Sequence, residues 1–516
     1  MDTCKFVFLV FFASVTVIER SDELNILVVF PHSGKSHQLV FDPLFKELTV
    51  RGHNLTVITE FPQKEPVKNW RDISISDGNH HTTEMLDSSM LTGTRLDRYM
   101  GANLIASFAN HTCTQGLQHK NFQNFLKEKN HFDLLIIELF NTNCFMGLAK
   151  KYGIPAVGLS TTIAPQWVQS LFGLADHPAY VSNHFMGYSD RLTFWERVEN
   201  TIMLLENNLI YTFLSAKPGN ELSKRHLGID LLEGGDIMYN VSIMLTNTHF
   251  SLNLPKPLVP AVIEVGGIHV QDPKPLPDDL MKFMNESPDG VIYMSLGSTL
   301  KSHSLPKEKR DAFLKAFSRI KQRVILKWEV DIPEKPNNVK ILRWAPQRDI
   351  LAHPNLKGFI SHGGLLGTLE AVHSGVPIMA VPQFGDQFTN VKALEAVGGG
   401  FMFDFHRATE DNVLEALKRL LSTELKNSAS ALSERFKDRP LSPMDTAVYW
   451  IEYVAKYKGA PHIRTAAVDM PFYKYLLFDV IAFLLAVVFA LFYVVYFMAR
   501  FVLKRIFRKE TKVKKS

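Results

Sequence analysis

Apolar positions along the first half of the chain alternate between two patterns. Leu24–Phe30 is an apolar run of the kind expected for a strand covered on both faces. Pro31–His37 follows as a loop of small and polar residues. Gln38–Arg51 then places Leu39, Val40, Leu44, Leu48 and Val50 at helical spacing, with Gly52 as the stop. Asn54–Thr59, Asp133–Ile137 and Pro155–Leu159 read as further strands, the last after a helix ending at Tyr152-Gly153. The second half repeats the device. Val291–Leu296 runs into Gly297-Ser298, and strands are predicted at Val324–Lys327, Val339–Leu342, Lys357–Ser361 and Pro377–Val381, with helices between them. Strand–helix alternation of this kind predicts the α/β class with parallel, doubly wound sheets. Between the halves, Leu254–Pro277 holds Pro255, Pro257, Pro260, Pro273, Pro275 and Pro277 and reads as a linker. Met444–Lys458 reads as an amphipathic helix packing back across the body.

The two ends differ from the body. Phe6–Ile18 is apolar behind Lys5 and too short to span a bilayer, so residues 1–20 read as a secretory signal. Val480–Met498 carries no charge, and its length at 1.5 Å per residue reaches roughly 28 Å, close to a hydrocarbon core. A basic cluster follows, from Arg500 to Lys515. Under the positive-inside rule this predicts a single-pass type I protein with a luminal body and a cytosolic tail. Lys512 and Lys514 near the C-terminus resemble a dilysine retrieval signal and point to the endoplasmic reticulum membrane; binding of anionic lipid is the plainer reading. The predicted boundaries are 1–20 signal, 21–253 first domain, 254–277 linker, 278–458 second domain, 459–479 juxtamembrane segment, 480–498 membrane helix and 499–516 basic tail.

Length and charge fit that division. A chain of 516 residues with 46% apolar and 21% charged positions exceeds what one core organises. The net charge of +5 is misleading: residues 500–516 carry eight basic residues against Glu510, net +7, which leaves the remainder near −2. The basic charge is a tail rather than a groove, so a nucleic-acid partner is not expected. Asn54, Asn110, Asn240 and Asn285 open glycosylation triplets, as a luminal body permits. Asn54 falls on a core strand, and Pro288 weakens Asn285. Once the signal is removed, only Cys113 and Cys144 remain, and a bridge between them is left open.

Candidate chemistry is concentrated between Trp344 and Gln387. Gly34-Lys35-Ser36 mimics the end of a phosphate loop, but Val29 stands where that motif needs its first glycine. In the later segment, an indole at Trp344 can stack on a base, and the Gln347 amide can pair with a base edge or ribose. Ser361-His362-Gly363-Gly364 ends a strand and opens a helix, so free N–H groups can meet a pyrophosphate. The glycines let the backbone approach closely, and Gly367 follows in the same segment. Glu370 can accept from ribose hydroxyls, and Asp386-Gln387 can bind sugar hydroxyls. Singly, these residues have ordinary explanations: Trp344 as core, His362 in a loop, Glu370 on a solvated face.

Taken in order and spacing, the segment resembles the signature of the UDP-glycosyltransferase family, particularly its membrane-bound invertebrate members with UDP-glucosyltransferase-like activity. The resemblance covers nearly the whole chain. It implies two Rossmann-like domains facing each other across a cleft, the GT-B arrangement, plus the C-terminal transmembrane helix. It also implies an inverting transfer of a hexose, most readily glucose, from a UDP-sugar to a small lipophilic acceptor. His37 takes the place of the general base, with His32 as a less well aligned rival, and Glu138 stands where the family usually has Asp. Ser298, with the backbone near His362, would hold the diphosphate. No metal and no cofactor are expected, and no Asp-x-Asp triplet occurs. Vertebrate members commonly carry Asn where this chain has Leu366. Acceptor binding falls to the aromatic stretch from Leu159 to Tyr211, with Trp167, Phe172 and Phe185 as candidates; core packing is the alternative for these. A glucuronosyl donor, a processive transferase, a non-catalytic lipid- or sterol-binding protein on the same fold, and a homo-oligomer stay open.

Overall fold

The computed structural model describes residues 23–77, 95–174, 177–297 and 301–513. The predicted signal, Ser298 and the three terminal residues lie outside them. The first sheet contains β1 (Asn25–Phe30), β2 (Asn54–Thr59), β3 (Trp70–Ser74), β4 (Leu134–Glu138), β5 (Ala156–Ser160), β6 (Val241–Thr246) and β7 (Val262–Glu264). Every pairing is parallel, in the order β3-β2-β1-β4-β5-β6-β7. The second sheet contains β8 (Val291–Ser295), β9 (Arg323–Lys327), β10 (Val339–Leu342), β11 (Leu356–Ser361), β12 (Ile378–Ala380) and β13 (Gly400–Met402), ordered β10-β9-β8-β11-β12-β13. Both are doubly wound sheets of Rossmann type.

The helices that position the site are α1 (Lys35–Val50), α2 (Gly101–Gln118), α3 (Phe194–Ile210), α4 (Leu365–His373), α5 (Gln387–Ala396) and α6 (Pro443–Lys456), with α7 (Phe478–Val513) at the end. The continuous apolar strands bury both faces: Ile26 and Val28 pack with α1 on one side, Leu27 and Val29 with Leu135 and Ile137 on the other. Helix α6 returns to the first sheet, where Ala447, Val448, Ile451 and Val454 join Val40, Phe41 and Leu44 in one core. Arg51 donates to Asp445 at 2.6 Å and fixes the helix at its start. The proline-rich stretch read as a linker does more than connect, because Val262–Glu264 within it forms the edge strand of the first sheet.

The two domains touch directly. Thr389 on α5 donates to the carbonyls of Asn183 and His184 at 3.1 Å and accepts from the Gly187 N–H at 3.2 Å. His269 meets the Leu366 carbonyl at 3.1 Å. A bridge joins Cys113 on α2 to Cys144 in the turn after β4. Asn240 and Asn285 are exposed. Asn54 and Asn110 instead spend their amides on Glu23 and on the Leu214 carbonyl, both at 2.8 Å. Within α7, Phe478–Phe507 is long and apolar enough to cross a membrane by length and composition, and none of it is buried in the body. It spans about 45 Å, more than the ~30 Å hydrocarbon core.

Candidate functional site

Strand order places the chemistry. Successive connections leave β1 in one direction and reach β4 in the other, so a crevice opens beyond the carboxyl ends of these neighbours. Glu138 is the last residue of β4, and His37 lies in the first turn of α1, just past β1. His37 Nδ1 sits 2.5 Å from Glu138 Oε1, and Glu138 is fully buried. Thr161 Oγ1, past β5, lies 3.1 Å from the same ring nitrogen and donates to Glu138 Oε1 at 3.5 Å. Nδ1 is therefore engaged, which leaves Nε2 as the nitrogen for an incoming hydroxyl. His32 stacks on His37 at 4.2 Å between ring centroids, and Phe140 meets both rings edge-on. His32 Nδ1 accepts from the Gly34 N–H at 2.8 Å. Burial first, and the neighbouring His37 second, push its pKa well below the usual imidazole range. His32 is thus a neutral ring packed behind His37.

The second sheet has the same crevice between β8 and β11. There Ser361 Oγ accepts from the Gly363 N–H at 3.1 Å as the chain turns into α4, whose N-cap, Gly364, offers no side-chain acceptor. The first N–H groups of α4 are left for a ligand. His362 fills the space between Gly297 and Gly364: a Cβ on either would come within 2.7 or 2.5 Å of its ring. Burial lowers the pKa of this ring to about 4, with Asp386 pulling the other way. Gly363 turns at φ +83 and packs towards Val391 rather than into the cleft.

Three polar residues form a chain beside this helix. Gln347 Nε2 donates to Glu370 Oε2 at 2.6 Å, and Tyr293 donates its hydroxyl to Gln347 Oε1 at 3.3 Å. Burial raises the Glu370 pKa to about 7, although the Gln347 hydrogen bond acts against it. Trp344 is 65% exposed, not core, and the Lys35 ammonium of the first domain stands 5.6 Å from its ring. Asp386 accepts from Asn390 at 2.8 Å. Gln387 Oε1 accepts from the Gln383 and Phe384 N–H groups at 2.8 and 3.3 Å, so its oxygen holds the loop that presents Asp386.

Both clusters line one cleft of about 900 Å³, which contains His37, Trp344, Gln347, His362, Gly364, Gly367, Glu370, Asp386 and Gln387. That volume sits at the upper end for small-molecule sites. Leu366 also lines it. The acceptor candidates divide. Phe185 reaches the cleft, whereas Trp167 and Phe172 do not. Both are buried in the core of the first sheet, Trp167 at 3% exposure and stacked 6.0 Å from Tyr211. The apolar wall comes instead from Met100, Leu104 and Phe108 on and before α2, with Leu96 and Leu39. Met100, Leu104 and Phe108 recur every four residues, the one sequence signal that they share a helix face.

The comparisons with known proteins decide the family. The model described as "UDP-glucoronosyl and UDP-glucosyl transferase" matches residues 25–513. The chain belongs to the UDP-glycosyltransferase family. Its relatives include UDP-glycosyltransferase UGT5 of Dactylopius coccus, 41% identical over 95% of this chain and 94% of that one. Human UDP-glucuronosyltransferase 1A8 is 31% identical over 96% and 94%. Among solved structures, a UDP-glucosyltransferase from Polygonum tinctorium overlays with a TM-score of 0.56 at 14% identity, covering 84% of this chain and 99% of that one. The calicheamicin glycosyltransferase CalG4 gives 0.54 at 16%, covering 84% and 99%. These overlays establish the GT-B fold. This UDP-glycosyltransferase is accordingly an enzyme, and the reading as a binding protein without turnover gives way.

Proposed function

We propose that the enzyme transfers glucose, with inversion, from UDP-glucose to a hydroxyl of a small lipophilic acceptor. The observation that carries this reading is the His37–Glu138 pair facing the Trp344–Gln387 cluster across a single cleft. His37 Nε2 takes the acceptor proton as the oxygen attacks the anomeric carbon. The new C–O bond forms as the bond to the UDP oxygen breaks. Glu138 steadies the imidazolium and fixes the ring, as in a hydrolase triad. The charge developing on the diphosphate falls at the open N-terminus of α4, so neither metal nor cofactor enters the scheme. Uracil stacks on Trp344 and reads Gln347, the ribose donates to Glu370, and Asp386 meets sugar hydroxyls. Lipophilic acceptors suit the Met100–Phe108 wall.

Relatives named for both donors exist, and the 36% identical UDP-glucosyltransferase 2 of Dactylopius coccus favours glucose over the human glucuronosyltransferases at 31%. Membranes containing the chain, given a phenol and each UDP-sugar in turn, are expected to form the glucoside. A product seen only with UDP-glucuronate would overturn the donor assignment, and transfer abolished by a chelator would overturn the metal-free scheme. We further propose that the body lies in the lumen of the endoplasmic reticulum. The apolar helix with its basic end supports this, as does the Cys113–Cys144 bridge, which an oxidising compartment sustains. Protease treatment of sealed microsomes should then remove only the tail.

A further inference from the structure

Glu138 is satisfied on one side only. Its Oε1 meets His37 and Thr161, whereas Oε2 is buried without a partner among the described residues. Three more buried polar atoms share that condition: the side-chain oxygens of Asn141 and Asn143 and the indole N–H of Trp167. Glu138, Asn141, Asn143 and Trp167 all wall one small internal cavity. His37 lines the main cleft and Glu138 this cavity, so the pair stands between the two. Polar groups buried unpaired cost free energy, and a cluster of them around one cavity calls for an explanation.

The surroundings hold these atoms in place. Helix α3 runs into a π-helical stretch, Tyr211–Ala216, a widened turn frequent at functional sites. Asn141 donates its amide to Ser215 Oγ at 3.3 Å and Asn143 to the Ala216 carbonyl at 3.5 Å, both in that stretch. Their oxygens are left for the cavity. Trp167 is stacked between Phe185 and Tyr211, at 6.5 and 6.0 Å between ring centroids, which fixes its indole. Three of the unpaired atoms are acceptors and one is a donor, so they cannot satisfy one another. One water donates two hydrogens and accepts a third. The cavity gives the centre of a water about 10 Å³, room for a single molecule.

We propose that Trp167 is a positioning residue for the transfer, acting through one buried water that accepts from its indole N–H and donates to Glu138 Oε2 and to an asparagine oxygen. The inference rests on the His37–Glu138 reading given above and extends it. Glutamate has one torsion more than the aspartate usual in the family, and so more freedom to lose the contact with His37. A bond at each oxygen removes that freedom: Oε1 is held by His37 and Thr161, Oε2 from behind. The hydrogen given by the water also shares the carboxylate charge, which counts for more in a buried site than in solvent. Trp167 thus serves the reaction without touching either substrate.

The test uses the full chain in detergent, with UDP binding reporting the fold. Trp167→Phe keeps a ring in the core and removes the N–H. It is expected to lower kcat about tenfold, the scale of one hydrogen bond to a charged group, with UDP affinity and acceptor KM within about twofold of wild type. In a Glu138→Gln background the same change should cost less than about twofold, because no charge remains to be held. A tenfold loss in both backgrounds would mark a packing effect and overturn the proposal. Val168→Ile, at another wall of the cavity, keeps the indole and crowds out the water. It should reproduce the loss, and it carries the test if Trp167→Phe does not fold. Wild-type kcat in both variants beside a slow Glu138→Gln would overturn this proposal alone. Wild-type kcat in Glu138→Gln would overturn the His37–Glu138 reading and this inference with it. A Raman difference between wild type and Trp167→Phe isolates the indole: a hydrogen-bonded N–H is expected, and a free one would contradict the water.

Discussion

The two central crevices of this molecule share a strand order and differ in what they hold. Beyond β1 and β4 stands a pair of ionisable side chains, His37 and Glu138, 2.5 Å apart. Beyond β8 and β11 the corresponding place is occupied by backbone: a turn through Gly363 and Gly364 and the bare start of α4. One crevice can move a proton, whereas the other can hold a diphosphate on backbone N–H groups, which do not titrate. His362 makes the point by contrast with His37. Burial between two glycines keeps it neutral at ordinary pH, so it shapes the turn. The same architecture thus serves two tasks through what fills its switch points.

If that division is right, variants on the two sides must fail in different ways. His37→Ala removes the base and should lower kcat by about 10³-fold or more under saturating substrates. Glu138→Gln keeps the shape but not the charge; kcat should fall by about 10²-fold, because the imidazolium loses its partner. On the other side, Trp344→Ala should weaken UDP binding about tenfold by titration calorimetry, as loss of one stacked base implies, with kcat little changed. Glu370 adds a pH signature. Its raised pKa, about 7, means that the free enzyme carries this proton below neutrality, while a ribose hydroxyl donates best to the ionised form. UDP binding should therefore release a proton and strengthen as pH rises through 7, and Glu370→Gln should flatten that dependence. The smallest effect is expected at the acceptor wall, where Phe108→Ala should raise the acceptor KM a few-fold and leave UDP affinity untouched.

Much of this arrangement is legible in the residues. Uninterrupted apolar strands such as Ile26–Phe30 and Val291–Ser295 announce sheets buried on both faces, and Val339–Leu342 is found as predicted. Glu138 was expected beside His37 on the family resemblance, which puts an acidic residue at the end of a later strand, and its carboxylate lies 2.5 Å from that ring. The acceptor side was less readable, for a physical reason. Aromatic density in Leu159–Tyr211 does not reveal whether a ring faces a core or a cleft; Trp167 and Phe172 turned inward, while Met100, Leu104 and Phe108 on α2 turned to the cleft. Strand β7 escaped because Val262–Glu264 is too short to show a period and sits among prolines. Helix α3 has an apolar stripe that reads as core in sequence, and only its outward orientation distinguishes it.

The most direct test of the division between the two crevices is UDP binding by His37→Ala, measured calorimetrically on the full chain beside the wild type. The account predicts a dissociation constant within about threefold of wild type in a protein that no longer transfers sugar. Wild-type turnover by that variant, or loss of UDP binding together with turnover in a folded chain, would contradict it.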